Sequence, residues 1–414
     1  MSPLLRRIGI AAGIAVGVLL LAGLVGFLVL RNSPVWGAIN LFSDEYRAGN
    51  FRSMHETFPS HAIAPAGEAW EFTRAERPLP ERYGFQGDER SLVGFLEDSE
   101  TTGLLVARDG VILHESYRRG NEAGSLATSF SVAKPFVAAL VGIAIERGAI
   151  ASVDDPISDY VPELIGSGYE GVAIHDVLTM SSGVAFDEAY DRVTSDVMRL
   201  PIQVFGLRQA APAILAGLQR QREPGTFHAY ISSDALALGL LVARATGTTV
   251  SAFLEEAIWV PAGMEAPAAW NTDFHGNELA HAFLSATLRD YARFGRLVLN
   301  EGRRDERQVI PAAWVQASTQ PSAPHLQPGD NPASASTFGY GYQWWIPDEP
   351  EGDVVAIGIW GQFLYVHPRY GIVIAKTSTD PGFAARERES VAVFRAIARE
   401  FADDPGVAGA GPGR

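Results

Sequence analysis

The 414-residue sequence contains no cysteine, which excludes disulfide frameworks, thiolate catalysis and cysteine-ligated metal or haem sites. It also lacks a positive balance of charge: the formal net charge is −15, whereas a general nucleic-acid binder needs a basic surface. Nor does it contain a Gly-x-Ser-x-Gly, Gly-Lys-Ser/Thr or His-Glu-x-x-His segment. We therefore expect no metal, no cofactor and no nucleic-acid partner, and neither a nucleophile elbow nor a phosphate-binding loop.

Lysine is almost absent as well. Only two of the 33 lysine and arginine residues are lysines, Lys134 and Lys376. Arginine serves wherever a plain positive charge suffices, but its guanidinium does not deprotonate in proteins. Each retained lysine is therefore a candidate for a role that requires a neutral amine.

A long hydrophobic run lies near the N-terminus, where residues 8–30 carry no charge. A helix rises about 1.5 Å per residue, so this run can cross a hydrocarbon core about 30 Å thick. Arg6 and Arg7 favour a cytoplasmic N-terminus at residues 1–7, with the rest of the chain on the far side. The alternative is a cleaved signal peptide. The run is longer than such a peptide needs, and residues 31–36 offer no small-x-small cleavage site.

Gly9, Gly13 and Gly17 recur every four residues on one face of this run. Small-residue stripes let membrane helices approach closely, so the stripe is a candidate homodimer contact. The alternative is that glycine is simply common in membrane helices.

Beyond the run, apolar periodicity and turn residues divide the chain into short elements. Residues 31–84 are expected to form a connecting region, and Thr102–Tyr117 a hairpin around Asp109-Gly110. Residues 403–414 are rich in glycine and proline and are predicted to be disordered. The remaining expected elements are helices at Ser131–Arg147, Ala235–Thr246, Leu288–Leu299 and Glu387–Phe401, and strands at Val354–Gly358, Gln362–His367 and Gly371–Lys376.

Strands near both ends of the chain and helices between them indicate an α+β fold, an α/β sandwich. We expect an antiparallel β-sheet flanked by helices, with a mainly helical subdomain inserted at about residues 150–300. The predicted domain covers residues 85–402.

The sharpest chemical pattern is Ser131-Val132-Ala133-Lys134 at the start of an apolar helix. Residues three apart on a helix are neighbours, so the lysine amine can reach the serine hydroxyl. A serine needs a base to become a nucleophile, and burial lowers the pKa of a lysine towards the range where it is neutral. Ser-x-x-Lys alone is a common chance pattern, but the helix placement and the scarcity of lysine strengthen it.

These residues resemble the serine β-lactamase and penicillin-binding-protein superfamily, in particular the class C-related branch of esterases and 6-aminohexanoate-dimer hydrolase. Residues 154–164, 175–183 and 287–295 also match that branch, and the resemblance spans about residues 85–400. It implies Ser131 as the nucleophile of an acyl-enzyme and Lys134 as its general base.

The second motif of the family is Tyr-x-Asn, and here Tyr230-Ile231-Ser232 matches the tyrosine but not the asparagine. Residues two apart in an extended segment point the same way, so Tyr230 and Ser232 can both face the site. The resemblance implies that Tyr230 relays a proton. The alternative is an ordinary half-buried aromatic.

The third motif, Lys-Thr-Gly or His-x-Gly, aligns with Ile359-Trp360-Gly361, while Lys376-Thr377-Ser378 lies one strand too late. Backbone N–H groups of Ser131 and Gln362 would still form an oxyanion hole. Ile359 removes the cation that would bind a substrate carboxylate, which favours an esterase or amidase over a true β-lactamase or D,D-peptidase.

The branch also has a tyrosine that assists amide cleavage, and Tyr190 is the candidate here, although a surface loop aromatic explains it equally well. We therefore expect a serine hydrolase of small-molecule esters or amides. It would be anchored in a bacterial inner membrane and would face the periplasm or exterior. A binding module or sensor that has lost turnover is the alternative from another functional class.

Overall fold

The computed structural model describes residues 3–31, 33, 36 and 40–402. The predicted disordered tail, residues 403–414, lies outside the described residues. The strands are β1 Ser60–Ile63, β2 Thr73–Arg74, β3 Arg82–Phe85, β4 Asp88–Ser91, β5 Thr101–Arg108, β6 Val111–Tyr117, β7 Ala127–Thr128, β8 Ala268–Asn271, β9 Leu284–Ala286, β10 Arg303–Arg304, β11 Arg307–Gln308, β12 Gly339–Tyr340, β13 Trp345–Ile346, β14 Val354–Gly358, β15 Gln362–His367 and β16 Ile372–Ser378.

The α-helices within the same residues are α1 Pro3–Arg31, α2 Arg47–Thr57, α3 Leu92–Asp98, α4 Lys134–Glu146, α5 Ile157–Tyr160, α6 Ile174–Leu178, α7 Asp196–Pro201, α8 Ala211–Ala216, α9 Ser232–Thr246, α10 Val250–Leu254, α11 Leu288–Leu299, α12 Ala312–Ser318 and α13 Phe383–Ala402. Short 3-10 or π turns interrupt the loops, and two of them, Phe130–Ala133 and Ile202–Gly206, bear on the site.

An eight-stranded sheet, in the order β12-β13-β14-β15-β16-β5-β6-β2, draws its strands from both ends of the chain. Its described pairs are antiparallel except β2 with β6, which is parallel. The predicted hairpin is confirmed: Asp109 and Gly110 have positive φ values of 48° and 82°, as a tight two-residue turn requires. The predicted strands are also confirmed, with the third starting one residue later and running to Ser378.

Alternate residues of the sheet enter two different cores. Leu105 and Ala107 belong to the cluster that contains α4, α9 and α11, whereas Leu104 and Val106 belong to the cluster beneath α13. This period of two is that of a strand buried on both faces. The sheet is therefore sandwiched between helices, and the mainly helical stretch α5–α10 lies between β7 and β8 in the chain, whereas the rest of residues 150–300 contains β8, β9 and α11.

The helix that begins near Ser131 has a tighter first turn than the sequence predicts. Phe130–Ala133 is a 3-10 turn, and the N–H of Lys134 donates to the carbonyl of Ser131 before the α-helix continues to Glu146. Pro135 lies in the first turn of α4, where its missing N–H costs no intrahelical bond.

The region expected to be a connection, residues 31–84, contains α2 and β1–β3 in its described part. β1 pairs with β8 in antiparallel register from Ser60–Asn271 to Ile63–Ala268. Phe51 and Met54 are buried in the main core. This segment therefore packs onto the body in addition to leading to it.

Helix α1 is exposed along the side chains that the structure describes, and its residues Ala12–Arg31 are long and apolar enough to cross a membrane. Its length, composition and N-terminal position fit either a membrane anchor or a signal sequence. A Cβ added at Gly13 or at Gly17 would meet no heavy atom within 4 Å. The surroundings of Gly9, the third member of the predicted stripe, lie outside the description.

Candidate active site

Ser131 and Lys134 meet at the start of α4. The amine Nζ of Lys134 lies 2.8 Å from Oγ of Ser131 and donates another hydrogen bond of 2.8 Å to the carbonyl of His281. As whole residues, Ser131 is 7% exposed and Lys134 is 1% exposed. Ser131 lines the cavity described below, whereas Lys134 is not among its lining residues.

Burial changes the protonation of this amine. Desolvation lowers the pKa of Lys134 to about 7, and the negative charge of Glu188 opposes that decrease. A pKa near 7 populates the neutral amine at neutral pH, which is the form that can accept a proton. Arginine at this position would stay charged.

Tyr230 lies beside the same pair. The centre of its ring is 4.9 Å from Nζ of Lys134, and interaction with the hydroxyl of Ser131 acts to lower the pKa of Tyr230. The ring stacks on Trp345 with centroids 5.0 Å apart, which fixes its plane. Burial, and then the charge of Glu188, raise the pKa of Tyr230 well above its ordinary value, so the hydroxyl keeps its proton and can donate it.

Glu188 is a further residue of the site, and no pattern in the sequence predicts it. Its carboxylate accepts hydrogen bonds from the N–H of Ser232 at 2.7 Å, from Oγ of Ser232 at 2.6 Å and from the hydroxyl of Tyr190 at 2.5 Å. Oγ of Ser232 is in turn 3.4 Å from Nζ of Lys134. Glu188 therefore links the two predicted substrate-binding residues, Tyr190 and Ser232, to the amine. A lone carboxylate in a loop has no periodicity or motif that could reveal it.

The end of β14 approaches the turn that carries Ser131. A Cβ on Gly358 would lie 2.7 Å from the carbonyl oxygen of Ser129 and 3.1 Å from the backbone nitrogen of Ser131, so this position requires a glycine. Trp360 follows in a left-handed conformation with φ of 63° and stacks on Phe42 at 5.3 Å. The strand end and the nucleophile turn are thus in backbone contact.

The predicted residues of this segment separate into two groups. Ile359 lines the cavity at Ser131, whereas Trp360, Gly361 and Gln362 are not among its lining residues. The side chain of Gln362 bonds instead to the backbone of Ser378, donating to its carbonyl at 2.7 Å and accepting from its N–H at 3.1 Å.

A cavity of about 410 Å³ opens at Ser131. Tyr190, Ser232 and His281 surround its reactive end. The rest of the lining is mostly apolar: Leu41, Phe42, Phe130, Val193, Val197, Met198, Pro201, Ile202, Gly206, Ala282, Phe283 and Ile359. Of these described lining residues none carries a permanent positive charge, and burial lowers the pKa of His281 well below its ordinary value.

Behind the site lies a second buried carboxyl group. Oδ1 of Asp234 accepts hydrogen bonds from Oγ of Ser182 at 2.7 Å and from the hydroxyl of Tyr169 at 2.9 Å. Burial raises the pKa of Asp234 to about 8. Burial therefore favours the protonated form of Asp234, and its two hydrogen bonds hold α9 against the preceding loop.

The arrangement can bind a carbonyl compound against Ser131, but it offers little for a metal. Within residues 3–31, 33, 36 and 40–402, no group of three His, Asp or Glu side chains could hold an ion. The chemistry available to the described residues is nucleophilic attack by a hydroxyl, proton transfer through an amine and a phenol, and stabilisation by backbone N–H groups.

Known proteins are similar to this chain in sequence and in fold. Residues 72–396 match the family model described as Beta-lactamase. The 6-aminohexanoate-dimer hydrolase of Paenarthrobacter ureafaciens is 31% identical over 293 residues, covering 69% of this chain and 74% of that protein. The esterase EstB of Burkholderia gladioli is 34% identical over 199 residues, covering 42% of this chain and 47% of EstB.

A solved structure gives the same result at the level of the fold. A Bacillus anthracis protein assigned as a 6-aminohexanoate-dimer hydrolase superposes with a TM-score of 0.78 at 23% identity, covering 88% of this chain and 95% of that chain. With the match of the family model over most of its length, the chain belongs to the β-lactamase family of serine hydrolases, and it is a hydrolase related to ester- and amide-cleaving enzymes.

Proposed function

We propose that this protein hydrolyses an ester or amide through an acyl-enzyme on Ser131. The observation that carries the proposal is the 2.8 Å contact between Oγ of Ser131 and an amine whose pKa burial lowers to about 7. A neutral lysine at that distance can remove the hydroxyl proton as attack begins.

In the first step Oγ of Ser131 bonds to the substrate carbonyl carbon while its proton passes to Nζ of Lys134. The tetrahedral intermediate then collapses, the bond to the leaving alcohol or amine breaks, and Tyr230 relays the proton from Lys134 to that group. Water attacks the acyl carbon in the second step and gives a proton to Lys134. The acid is released as Oγ of Ser131 regains a proton.

The negative charge on the tetrahedral oxygen needs N–H donors in place before the reaction. One is the N–H of Ser131. The other belongs to the segment 359–362, and the sequence motif predicts that it is the N–H of Gln362. The cavity is lined by Ile359, so the N–H of Ile359 is an additional candidate, supported by the close approach of Gly358 to Ser131.

The cavity favours a substrate without a carboxylate at this position. A β-lactamase or D,D-peptidase substrate would need a cation near Ile359, and the second lysine, Lys376, is instead buried behind the segment, donating to the carbonyl of Gly361 at 3.3 Å. An esterase or amidase activity is therefore the proposed one, with Tyr190 placed at the reactive end to contact the leaving group.

The test is the Ser131→Ala variant, assayed with p-nitrophenyl butyrate. Loss of turnover with an unchanged melting temperature supports the proposal, and undiminished turnover excludes it. The alternative of a non-hydrolytic sensor, suggested by Ser232 and Ile359 in place of the family residues, predicts a stoichiometric burst from the unmodified protein without further turnover.

We also propose that α1 anchors the protein in the bacterial inner membrane with the hydrolase domain on the periplasmic or outer side. Arg6 and Arg7 precede the apolar run, which favours a cytoplasmic N-terminus. We expect the full-length protein to stay in washed membranes. We also expect protease to digest the hydrolase domain only when it is added to the outer side. Release of a shortened chain would show a cleaved signal sequence.

A further inference from the structure

The first wall of the cavity comes from the chain just after α1. Leu41 and Phe42 line the cavity, and only nine residues, or ten Cα–Cα steps, lie between Arg31, the last residue of α1, and Leu41. An extended chain spans at most about 3.6 Å per residue, so the cavity wall is tethered within about 36 Å of the end of α1. An anchored α1 therefore keeps the entrance of this cavity close to a bilayer.

This wall is fixed to the body rather than loosely attached. The ring of Phe42 stacks on Trp360, and the guanidinium of Arg47 lies 4.6 Å from the centre of the same indole. Phe42 also lies 6.3 Å from Phe130, next to the nucleophile. The segment that follows the predicted anchor is thus part of the reaction chamber.

The outer rim of the cavity is both apolar and exposed. Val193 and Ile202 line the cavity yet keep 77% and 57% of their exposure, and the neighbouring Leu207 keeps 64%. We call residues 193–207 the rim segment. Large apolar side chains gathered at the mouth of a cavity are typical of a surface that contacts another apolar phase.

The interior has the character of a hydrocarbon site. Its polar groups, on Ser131, Tyr190, Ser232 and His281, surround the reactive end, and the remaining lining residues are mostly apolar. Burying a charged or strongly polar substrate group against such walls would cost free energy without a compensating partner. A chain of methylenes loses nothing there and gains by leaving water.

We propose that the cavity binds the hydrocarbon acyl chain of an ester or amide resident in the membrane, and that the rim segment contacts the bilayer from which this substrate is drawn. The inference rests on the proposed hydrolase function and specifies its substrate class. The acyl part of the substrate stays attached to Ser131 in the acyl-enzyme. A cavity that holds this part therefore orients the carbonyl group both during acylation and during hydrolysis of the acyl-enzyme.

The first experiment uses the full chain reconstituted in phosphatidylcholine vesicles and p-nitrophenyl esters from acetate to decanoate. Each buried methylene is expected to raise kcat/KM by up to about fourfold, until the cavity is full. The Gly206→Leu variant should lower the decanoate-to-acetate ratio at least about tenfold by occupying cavity volume. A Cβ at Gly206 meets only Cγ2 of Ile202, at the ordinary contact distance of 3.7 Å, so the backbone accepts a side chain at this position.

Gly67→Leu is the matched control, since an added Cβ there has no neighbour within 4 Å and the position lies outside the cavity lining. Long esters partition into the vesicles equally in the assays of the unmodified protein, Gly206→Leu and Gly67→Leu. A change in the decanoate-to-acetate ratio of kcat/KM therefore reports the cavity. A ratio that Gly206→Leu leaves unaltered would overturn the proposal.

The second experiment tests the source of the substrate. Leu207→Asp should lower hydrolysis of p-nitrophenyl palmitate held in vesicles at least fivefold relative to hydrolysis of the soluble acetate ester, by an order-of-magnitude estimate for exchanging an apolar contact for a charge. Ile165→Asp removes an equally exposed apolar side chain, 61% exposed, outside the rim segment and should leave this ratio unchanged. Identical ratios for the two variants would overturn the membrane source.

The two proposals fail in different ways. If the unmodified protein does not hydrolyse even the acetate ester, the hydrolase function itself is wrong. If it hydrolyses acetate by way of Ser131 but shows no gain with chain length, only the acyl-chain inference is overturned.

Discussion

The carboxylate of Glu188 accepts hydrogen bonds from both the N–H and Oγ of Ser232, at 2.7 and 2.6 Å. The proton of the Ser232 hydroxyl is therefore committed to Glu188, and its oxygen is left to accept from Nζ of Lys134, 3.4 Å away. Ser232 thus connects a negative charge to the amine that we propose as the base. This relationship explains why the charge of Glu188 raises the pKa of Lys134 against the effect of burial.

The pH dependence of activity should report this connection. Because the neutral form of Lys134 is the base and its pKa is about 7, kcat/KM should rise with pH below 7 and level off above it. Glu188→Gln removes the charge that raises this pKa, so the rising limb should move to lower pH. A pH series of kcat/KM with p-nitrophenyl butyrate measures both.

The control for this comparison is Glu163→Gln, which removes a carboxylate paired with Arg244 on the surface. Its profile should coincide with that of the unmodified protein. A limb that moves to higher pH in Glu188→Gln, or that stays in place, would contradict the assigned role of Glu188.

Lys134→Met should separate catalysis from stability. The methionine keeps a long apolar side chain but cannot accept a proton, so kcat should fall about 100- to 10,000-fold. It also removes a desolvated amine, and the melting temperature should not decrease. Lys376→Met serves as the comparison because burial lowers the pKa of that lysine to about 7 too, although its amine donates to the carbonyl of Gly361 and not to Ser131. Equal losses of activity in the two variants would refute a special role for Lys134.

Gly358→Ala should impair turnover by displacing the backbone at the end of β14, without changing any side chain that takes part in the reaction. The added Cβ would lie 2.7 Å from the carbonyl oxygen of Ser129, so the end of β14 must move away from the nucleophile turn. Displaced N–H donors lower kcat by about 10- to 100-fold, while KM changes less, because they act on the transition state. Gly84→Ala is the control, since its Cβ meets nothing within 4 Å. Normal kinetics in Gly358→Ala would argue against an oxyanion hole at this contact.

Asp234→Asn should alter how stability depends on pH. Burial raises the pKa of Asp234 from 3.8 to about 8, so the folded protein binds a proton there that the unfolded chain has released. The stabilisation is complete below pH 3.8 and is lost as the pH rises through about 8. Asparagine does not titrate, so the melting temperature of the variant relative to the unmodified protein should increase from pH 5 to pH 9. A constant difference would show that Asp234 is already ionised.

Much of the fold could be predicted from the sequence because its signals are local. Asp109-Gly110 between apolar runs fixes a hairpin, and the predicted bounds of the helix Leu288–Leu299 are those observed. The tighter turn at Phe130–Ala133 could not be predicted, because the pattern of apolar residues is the same for a 3-10 and an α turn. The packing of α2 and β1 onto the body depends on contacts with β8, more than 200 residues away.

The residues of the candidate site also divide into those that local sequence predicts and those that it does not. Ser131 and Lys134 lie three residues apart, so helix geometry alone predicts their contact. Glu188 reaches Ser232 across 44 positions and carries no motif, and Leu41 and Phe42 enter the cavity from a segment that seemed only to connect. Tertiary structure, which a single sequence does not display, brings these residues together.

The most direct test of the account is to locate the acyl group during turnover. The protein is mixed with p-nitrophenyl butyrate, quenched in acid within the first turnovers and digested, and the peptides are analysed by mass spectrometry. We predict a butyryl group on Ser131 that disappears as substrate is exhausted, and none in Ser131→Ala. A butyryl group on another residue, or turnover without any acylated peptide, would contradict the account.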